Sequence, residues 1–306
     1  MKQIILAKPR GFCAGVERAI AVVEMALRKY GPPIYVRHEI VHNKHVVARL
    51  RERGAVFVDE LDEIPKDSIV IFSAHGVSSG VEFEAKSNDL KIIDATCPLV
   101  KKVHHQVQKY EQSRRTIVLI GHNGHPEIEG TKGRVNAPVY VVENMADVES
   151  LALLPDTLIS YATQTTLSID DTTAMINALY GKFKEIQGPE LNDICYATQN
   201  RQRAVKALAE KCDTIMVVGS KNSSNSNRLR DIGEGCGVAS YLINDESDIE
   251  LTSLGERVGV TAGASAPEKI VEDVVAFLLK AHPGAEIIEM TGIEENVKFR
   301  LPNGLE

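Results

Sequence analysis

Three of the five cysteines in this 306-residue chain stand just ahead of helical patterns. Cys13 precedes the stretch 15–30, Cys97 precedes a helix with Pro98 in its first turn, and Cys195 precedes Ala204, Val205, Leu208 and Ala209. The start of a helix favours a thiolate over a thiol. Three thiolates brought together would call for a cation or a cluster. The cysteines are 84 and 98 residues apart, so they form no local ferredoxin-type run. The residue types leave zinc and iron–sulfur both open. Cys212 lies four residues after Leu208 and reads as core; Cys236, in Gly235-Cys236-Gly237, reads as a packed turn.

Around these thiols the chain repeats polar turns. The first set is His42-Asn43-Lys44-His45, His122-Asn123-Gly124-His125 and Lys221-Asn222-Ser223-Ser224-Asn225. The second is Ser73-Ala74-His75-Gly76, Thr163-Gln164-Thr165-Thr166 and Ala262-Gly263-Ala264-Ser265-Ala266. His42, His75 and His125, with Ser223, Ser224, Asn225 and Ser265, make a neutral-to-cationic donor set suited to a phosphate. Residues 223–227 also read as a plain capping turn, with Asn225 and Ser226 as caps. Glu127, after His125-Pro126, is either a first-turn acid favoured by the helix dipole or a proton donor. Gly11-Phe12-Cys13-Ala14-Gly15 is neither G-x-G-x-x-G nor a Walker loop, so no nicotinamide or flavin site is indicated.

Short apolar runs must position these turns. Strands are expected at 4–7, 34–36, 69–72, 92–93, 117–120, 139–142, 158–161, 215–218, 241–243, 258–260 and, in the tail, 287–290. Amphipathic helices lie between them; Val16, Ala19, Ile20, Val23 and Leu27 form one face of the first. The alternation predicts a doubly wound α/β fold with mostly parallel sheets. The repeat divides the chain into units 1–95, 96–192 and 193–284, each with one of the three cysteines, and a closing tail 285–306. Hydrophobic residues make up 43%, enough for a sizeable core, and the net charge of −7 argues against nucleic acid. No apolar run approaches the roughly 18 residues of a membrane span, and the short run 4–7 is broken by Lys8 and Arg10. A cytoplasmic protein with reduced thiols is expected.

Long strings then resemble the 4-hydroxy-3-methylbut-2-enyl diphosphate reductase family of the non-mevalonate isoprenoid pathway. They are Pro9-Arg10-Gly11-Phe12-Cys13-Ala14-Gly15-Val16, the segment 35–43 ending His42-Asn43, Phe72-Ser73-Ala74-His75-Gly76-Val77 and Asp94-Ala95-Thr96-Cys97-Pro98. Residues 121–127 through His125-Pro126-Glu127, Thr163-Gln164-Thr165-Thr166-Leu167, the run 219–227 and Thr261 to Pro267 complete them. The resemblance covers residue 4 to about 300. It implies a trefoil of three α/β domains around a 4Fe–4S cluster held by Cys13, Cys97 and Cys195, with one iron lacking a protein ligand. It implies that His42, His75, His125, Thr166, Ser223, Ser224, Asn225 and Ser265 grip an allylic diphosphate, that Glu127 delivers protons and that Thr165 meets the substrate hydroxyl. It also implies a transient one-electron donor, ferredoxin or flavodoxin, because no second redox motif appears. Two rivals are a zinc hydrolase with three cysteine ligands and a non-enzymatic iron–sulfur sensor of an anionic metabolite.

Overall fold

The computed structural model describes residues 1–189 and 193–305. Thirteen strands are described: β1 (Gln3–Leu6), β2 (Ile34–Arg37), β3 (Ala55–Val58), β4 (Ile69–Phe72), β5 (Lys91–Asp94), β6 (Thr116–Ile120), β7 (Val139–Val142), β8 (Ile159–Thr163), β9 (Ile186–Gln187), β10 (Thr214–Val218), β11 (Ala239–Ile243), β12 (Arg257–Ala262) and β13 (Glu286–Glu289). The helices are α1 (Ala14–Tyr30), α2 (Lys44–Glu52), α3 (Ser79–Ser87), α4 (Pro98–Gln112), α5 (Pro126–Lys132), α6 (Met145–Ser150), α7 (Ile169–Lys182), α8 (Tyr196–Ala209), α9 (Ser224–Gly235) and α10 (Glu268–Ala281). Every expected strand forms. The expectation lacked β3, whose Ala55-Val56-Phe57-Val58 follows an arginine-rich helix end after only the Arg53-Gly54 turn, and β9, which is only two residues long.

The strands make three parallel sheets, ordered β3-β2-β4-β5, β7-β6-β8-β9 and β11-β10-β12-β1-β13. The third repeats the order of the other two, with β1 in the place of β5 and β9. Here pairing departs from the sequence boundaries. The expected unit 1–95 is not one sheet, because β1 hydrogen-bonds β12 on one side and β13 on the other. The repeat is permuted: the chain begins with the fourth strand of its last sheet. The tail strand β13 extends that sheet through β1.

Two compact units result. One comprises Met1–Glu17, His42–Ala48 and Tyr196–Lys298 and carries the five-stranded sheet; the other comprises Arg18–Val41, Arg49–Cys195 and Phe299–Glu306 and carries the two four-stranded sheets. In the first, β10 shows why its run is apolar throughout. Met216 and Val218 pack toward Val271, Val274 and Leu278 of α10, while Ile215 and Val217 pack toward Val205 and Leu208 of α8 and Leu229 of α9. A parallel strand covered on both faces needs no alternation. In the second unit, Val118 and Ile120 meet Met175 and Leu179 of α7, and Ile117 and Leu119 meet Val103 and Val107 of α4. Val70 and Phe72 pack with Ala85 of α3.

Candidate active site

In each sheet the cysteine follows the fourth strand, and its amide is tied to the turn after the third. The Cys13 N–H donates to the Ala264 carbonyl at 3.1 Å, that of Cys97 to Ala74 at 3.0 Å and that of Cys195 to Thr165 at 3.0 Å. The thiols therefore recur at one structural position, each beside the start of a helix: α1, α4 and α8. This register also makes His75, Thr166 and Ser265 equivalent, each following the accepting residue.

Cys13 lies in the first compact unit. Gly11 ahead of it has φ +69° and a Cβ there would stand 3.3 Å from the Ala266 carbonyl, which is why glycine occupies the turn. Burial pushes the Cys13 thiol up, opposed by the Val16 amide, the Arg201 guanidinium and the Gly15 amide. Arg201 is fully buried; it donates to the Gly11 and Phe12 carbonyls and pairs with Glu295 at 3.1 Å. Cys97 and Cys195 lie in the second unit. Cys97 is the N-cap of α4, with Pro98 at its first position. The buried Arg18 donates to the Ala95 and Thr96 carbonyls and to that of Arg300 in the tail. Burial pulls the Arg18 guanidinium down, while Asp94 and Cys97 favour its charged form. These surroundings fit a soft, anionic metal group: thiols at helix starts, with amide protons and a fixed cation around Cys13. Cys212 does not fit; it is buried, donates to the Leu208 carbonyl at 3.1 Å and has its thiol pushed up to about 11. Cys236 is the exposed C-cap of α9.

The tail thus has a structural duty that composition did not reveal. Glu295→Ala strands the Arg201 cation in the interior. Removing one partner of a buried pair costs about 3–5 kcal/mol; Glu295 is partly exposed, so roughly the lower end of that range is expected. A lowered denaturant midpoint of the apoprotein checks it, and an unchanged midpoint would show that the Gly11, Phe12 and Ala197 carbonyls alone satisfy Arg201.

The polar turns after β2, β6 and β10 are helix N-termini. In the first unit Asn43 Oδ1 accepts the amides of His45 and Val46, starting α2, and the Ser265 hydroxyl donates to the His42 carbonyl at 2.9 Å. Ser223, rather than Asn225 or Ser226, caps α9: its Oγ accepts the Ser226 amide and hydroxyl. Helix α9 begins two residues earlier than expected because the serine side chain reaches the amide three residues on. Ser224 opens the helix, and Asn225 falls in its first turn. Asn225 is 4% exposed, yet neither its Oδ1 nor its Nδ2 has a hydrogen-bond partner in the protein. A buried, unsatisfied amide costs about 1–3 kcal/mol, so a water or a ligand must satisfy it. Gly219 and Gly263 let the strand ends approach this turn; a Cβ on either would overlap Ser226 Oγ, at 2.2 and 2.0 Å.

In the second unit His125 caps α5, its Nδ1 accepting the Glu127 amide at 3.1 Å, which leaves the ring proton of the neutral form on Nε2. The His75 and His125 rings meet edge to face, centroids 5.8 Å apart. Ser73 Oγ bonds His75 Nδ1 at 3.2 Å. Glu127 is 3% exposed; Oε1 accepts the Thr165 amide at 2.7 Å and Oε2 the Thr165 hydroxyl at 2.8 Å. Burial pushes the Glu127 carboxyl up to about 7, against the two Thr165 donors and with help from the Asp193 charge. Gln164, buried, accepts the His122 amide and donates to Thr166 Oγ1 at 2.9 Å.

Sequence reasoning passed over Arg18, Arg201, Gln164 and Asp193. Gln164 stands inside a quoted polar turn and was within reach. Arg18 and Arg201 sit on apolar helix faces, with Ala14 and Val22 and with Ala204 and Val205, a mismatch that marks a buried cation. Nothing local signals Asp193.

Fold and residues together describe an α/β protein with three cysteines at helix starts, polar turns that open helices and a buried acid. Comparison with known proteins narrows this. The model of the LytB protein family matches residues 4–279, and the chain belongs to that family. It is 56% identical over 302 residues to the 4-hydroxy-3-methylbut-2-enyl diphosphate reductase 2 of Bradyrhizobium diazoefficiens, covering 98% of both chains. It is 56% identical to the reductase of that name from Burkholderia pseudomallei, covering 98% of this chain and 96% of the relative. Among solved structures, the E-1-hydroxy-2-methyl-but-2-enyl-4-diphosphate reductase of Plasmodium falciparum superposes with a TM-score of 0.96 at 39% identity, covering 99% of this chain and 96% of the other. A second structure, titled as the terminal enzyme of the non-mevalonate pathway, gives 0.65 at 33% identity over 92% and 100%.

Proposed function

We infer that the chain is a 4-hydroxy-3-methylbut-2-enyl diphosphate reductase, an iron–sulfur-dependent oxidoreductase of the last step of the non-mevalonate isoprenoid pathway. Its substrate gains two electrons and two protons and loses its hydroxyl as water, giving isopentenyl and dimethylallyl diphosphate. One observation carries the site assignment: Cys13, Cys97 and Cys195 occupy one structural position in three sheets of the same strand order. A 4Fe–4S cluster on these three cysteines, with one iron free of protein ligand, would supply single electrons and a Lewis-acid position for the substrate hydroxyl. Reduced ferredoxin or flavodoxin is the donor. No helix among the described residues is long and apolar enough to cross a membrane, in keeping with a cytoplasmic setting.

The chain's own residues bind, orient and protonate. The Asn225 amide, the hydroxyls of Ser223, Ser224, Ser265 and Thr166, and the imidazoles of His42, His75 and His125 hold the diphosphate. Dipolar helix starts beneath them favour its charge. Glu127 gives a proton from its buried carboxyl, and Thr165, bonded to that carboxyl, orients the substrate hydroxyl. Anaerobic protein should show iron–sulfur visible absorption, matched iron and sulfide counts, and turnover with a reduced donor. A colourless zinc protein would favour the hydrolase, and a coloured protein without turnover the sensor.

Charge-assisted hydrogen bonds contribute about 1.5–3 kcal/mol each. Alanine at His42, His75 or His125 should therefore weaken inhibition by pyrophosphate about tenfold or more, with cluster absorption retained. Unchanged inhibition constants in all three variants would remove the histidines from the diphosphate site.

A further inference from the structure

We propose that the exposed face of α4 beside Cys97 is the docking surface for an acidic one-electron carrier protein; this rests on the reductase reading and deepens it. The face belongs to a groove of about 1050 Å³ lined by Pro98, Lys101, Lys102, His105 and Lys109 of α4 and by Gly188. No carboxylate is among its described lining residues. In a chain of net charge −7 this is a local reversal of sign, the arrangement that steers an anionic partner.

The helix produces the face by periodicity. Val100, Val103, His104, Val107 and Tyr110 are buried, so the positions between them point outward, and those carry the cations. Lys101 is half-exposed with Asp94 at 2.5 Å, and Lys102 is exposed with Asp193 Oδ1 at 3.8 Å. Neither carboxylate lines the groove, and Lys109 is exposed two turns further on. From Pro98 to Lys109 the face runs about 16 Å at 1.5 Å per residue. That length suits a charged patch on a protein better than a single diphosphate, and the groove exceeds the range of about 300–1,000 Å³ typical of small-molecule pockets.

Position gives the face its function. Pro98 lines the groove and is covalently joined to Cys97. A carrier seated there stands one residue from a proposed cluster ligand. Each docking oxidises one carrier by one electron. Two dockings, with two protons, reduce one substrate and release one water.

The test is the double variant K102E/K109E of the holoenzyme, with K102Q/K109Q as its milder partner. Turnover is driven in parallel by a reduced 2Fe–2S ferredoxin of net negative charge and by dithionite-reduced methyl viologen. Expected is a KM for ferredoxin about tenfold or more higher in the reversal variant, smaller for the glutamine pair, with a flattened salt dependence. Viologen-driven kcat and the visible spectrum should stay at wild-type values. An unchanged ferredoxin KM, or an equal loss with both donors, overturns the docking assignment. Wild-type enzyme idle with viologen overturns the reductase reading itself, and the docking surface falls with it.

Discussion

Cys13→Ser, Cys97→Ser and Cys195→Ser each lose the iron–sulfur absorption and all turnover, whereas Cys212→Ser and Cys236→Ser keep both: this is the largest effect expected of any substitution in the chain. Serine is nearly isosteric, so the backbone bonds from residues 13, 97 and 195 to the Ala264, Ala74 and Thr165 carbonyls can persist. What changes is donor chemistry. A thiolate is a soft ligand whose proton leaves on binding metal, while a hydroxyl is hard and holds its proton. At Cys13 burial raises the cost of an anion, and only the Val16 and Gly15 amides and Arg201 offset it; an alkoxide would be further out of reach. Cys212 has the opposite setting, a hydrogen-bonded thiol in the core among Val205, Leu208 and Ile215. Iron and sulfide counts on anaerobically purified variants decide the matter. A full cluster in any of the first three would break the assignment.

Glu127→Gln is expected to lower kcat about 10²–10⁴-fold, the usual contribution of a general acid, with the cluster spectrum and diphosphate affinity nearly intact. Glutamine preserves the shape, so its carbonyl can still accept from Thr165, yet it has no proton to give. The carboxyl is poised for the task. Burial lifts it to about 7, the Thr165 amide and hydroxyl pull it down, and the Asp193 charge pushes it up. A general acid must be protonated. The donor form is therefore full below that pH and is lost as pH rises through it, so wild-type kcat should fall about tenfold per pH unit on the alkaline side. In the glutamine variant that alkaline limb should vanish. Single-turnover rates across pH make the comparison. A variant within a few-fold of wild type, or one retaining the limb, would place the proton source elsewhere and leave Glu127 as a first-turn acid of α5.

How far the sequence reached depended on the range of the interaction. The apolar runs at 34–36, 117–120 and 215–218 declared buried parallel strands, because a strand covered on both faces is apolar at every position. The recurrence of a cysteine before a helix start was visible for the same local reason, and with it the ligand candidates and the donor turns. Local signals also misled by a residue or two. Asn225 reads as a cap, but Ser223 reaches the Ser226 amide first, which leaves the Asn225 amide buried and unsatisfied. Pairing between distant strands has no local signature. That β1 completes the sheet of β10 to β13, and so hands Cys13 to the Ala264 turn, was decided by hydrogen bonds spanning more than 250 residues. Environment is likewise a tertiary property. Glu127 is an ordinary helix-start acid by sequence, and only the burial supplied by its neighbours, with Thr165 from another strand end, lifts its carboxyl to about 7. Sequence thus determined which groups were present and at what spacing; tertiary structure decided their partners and their charge, because desolvation and pairing depend on what the rest of the chain places around them.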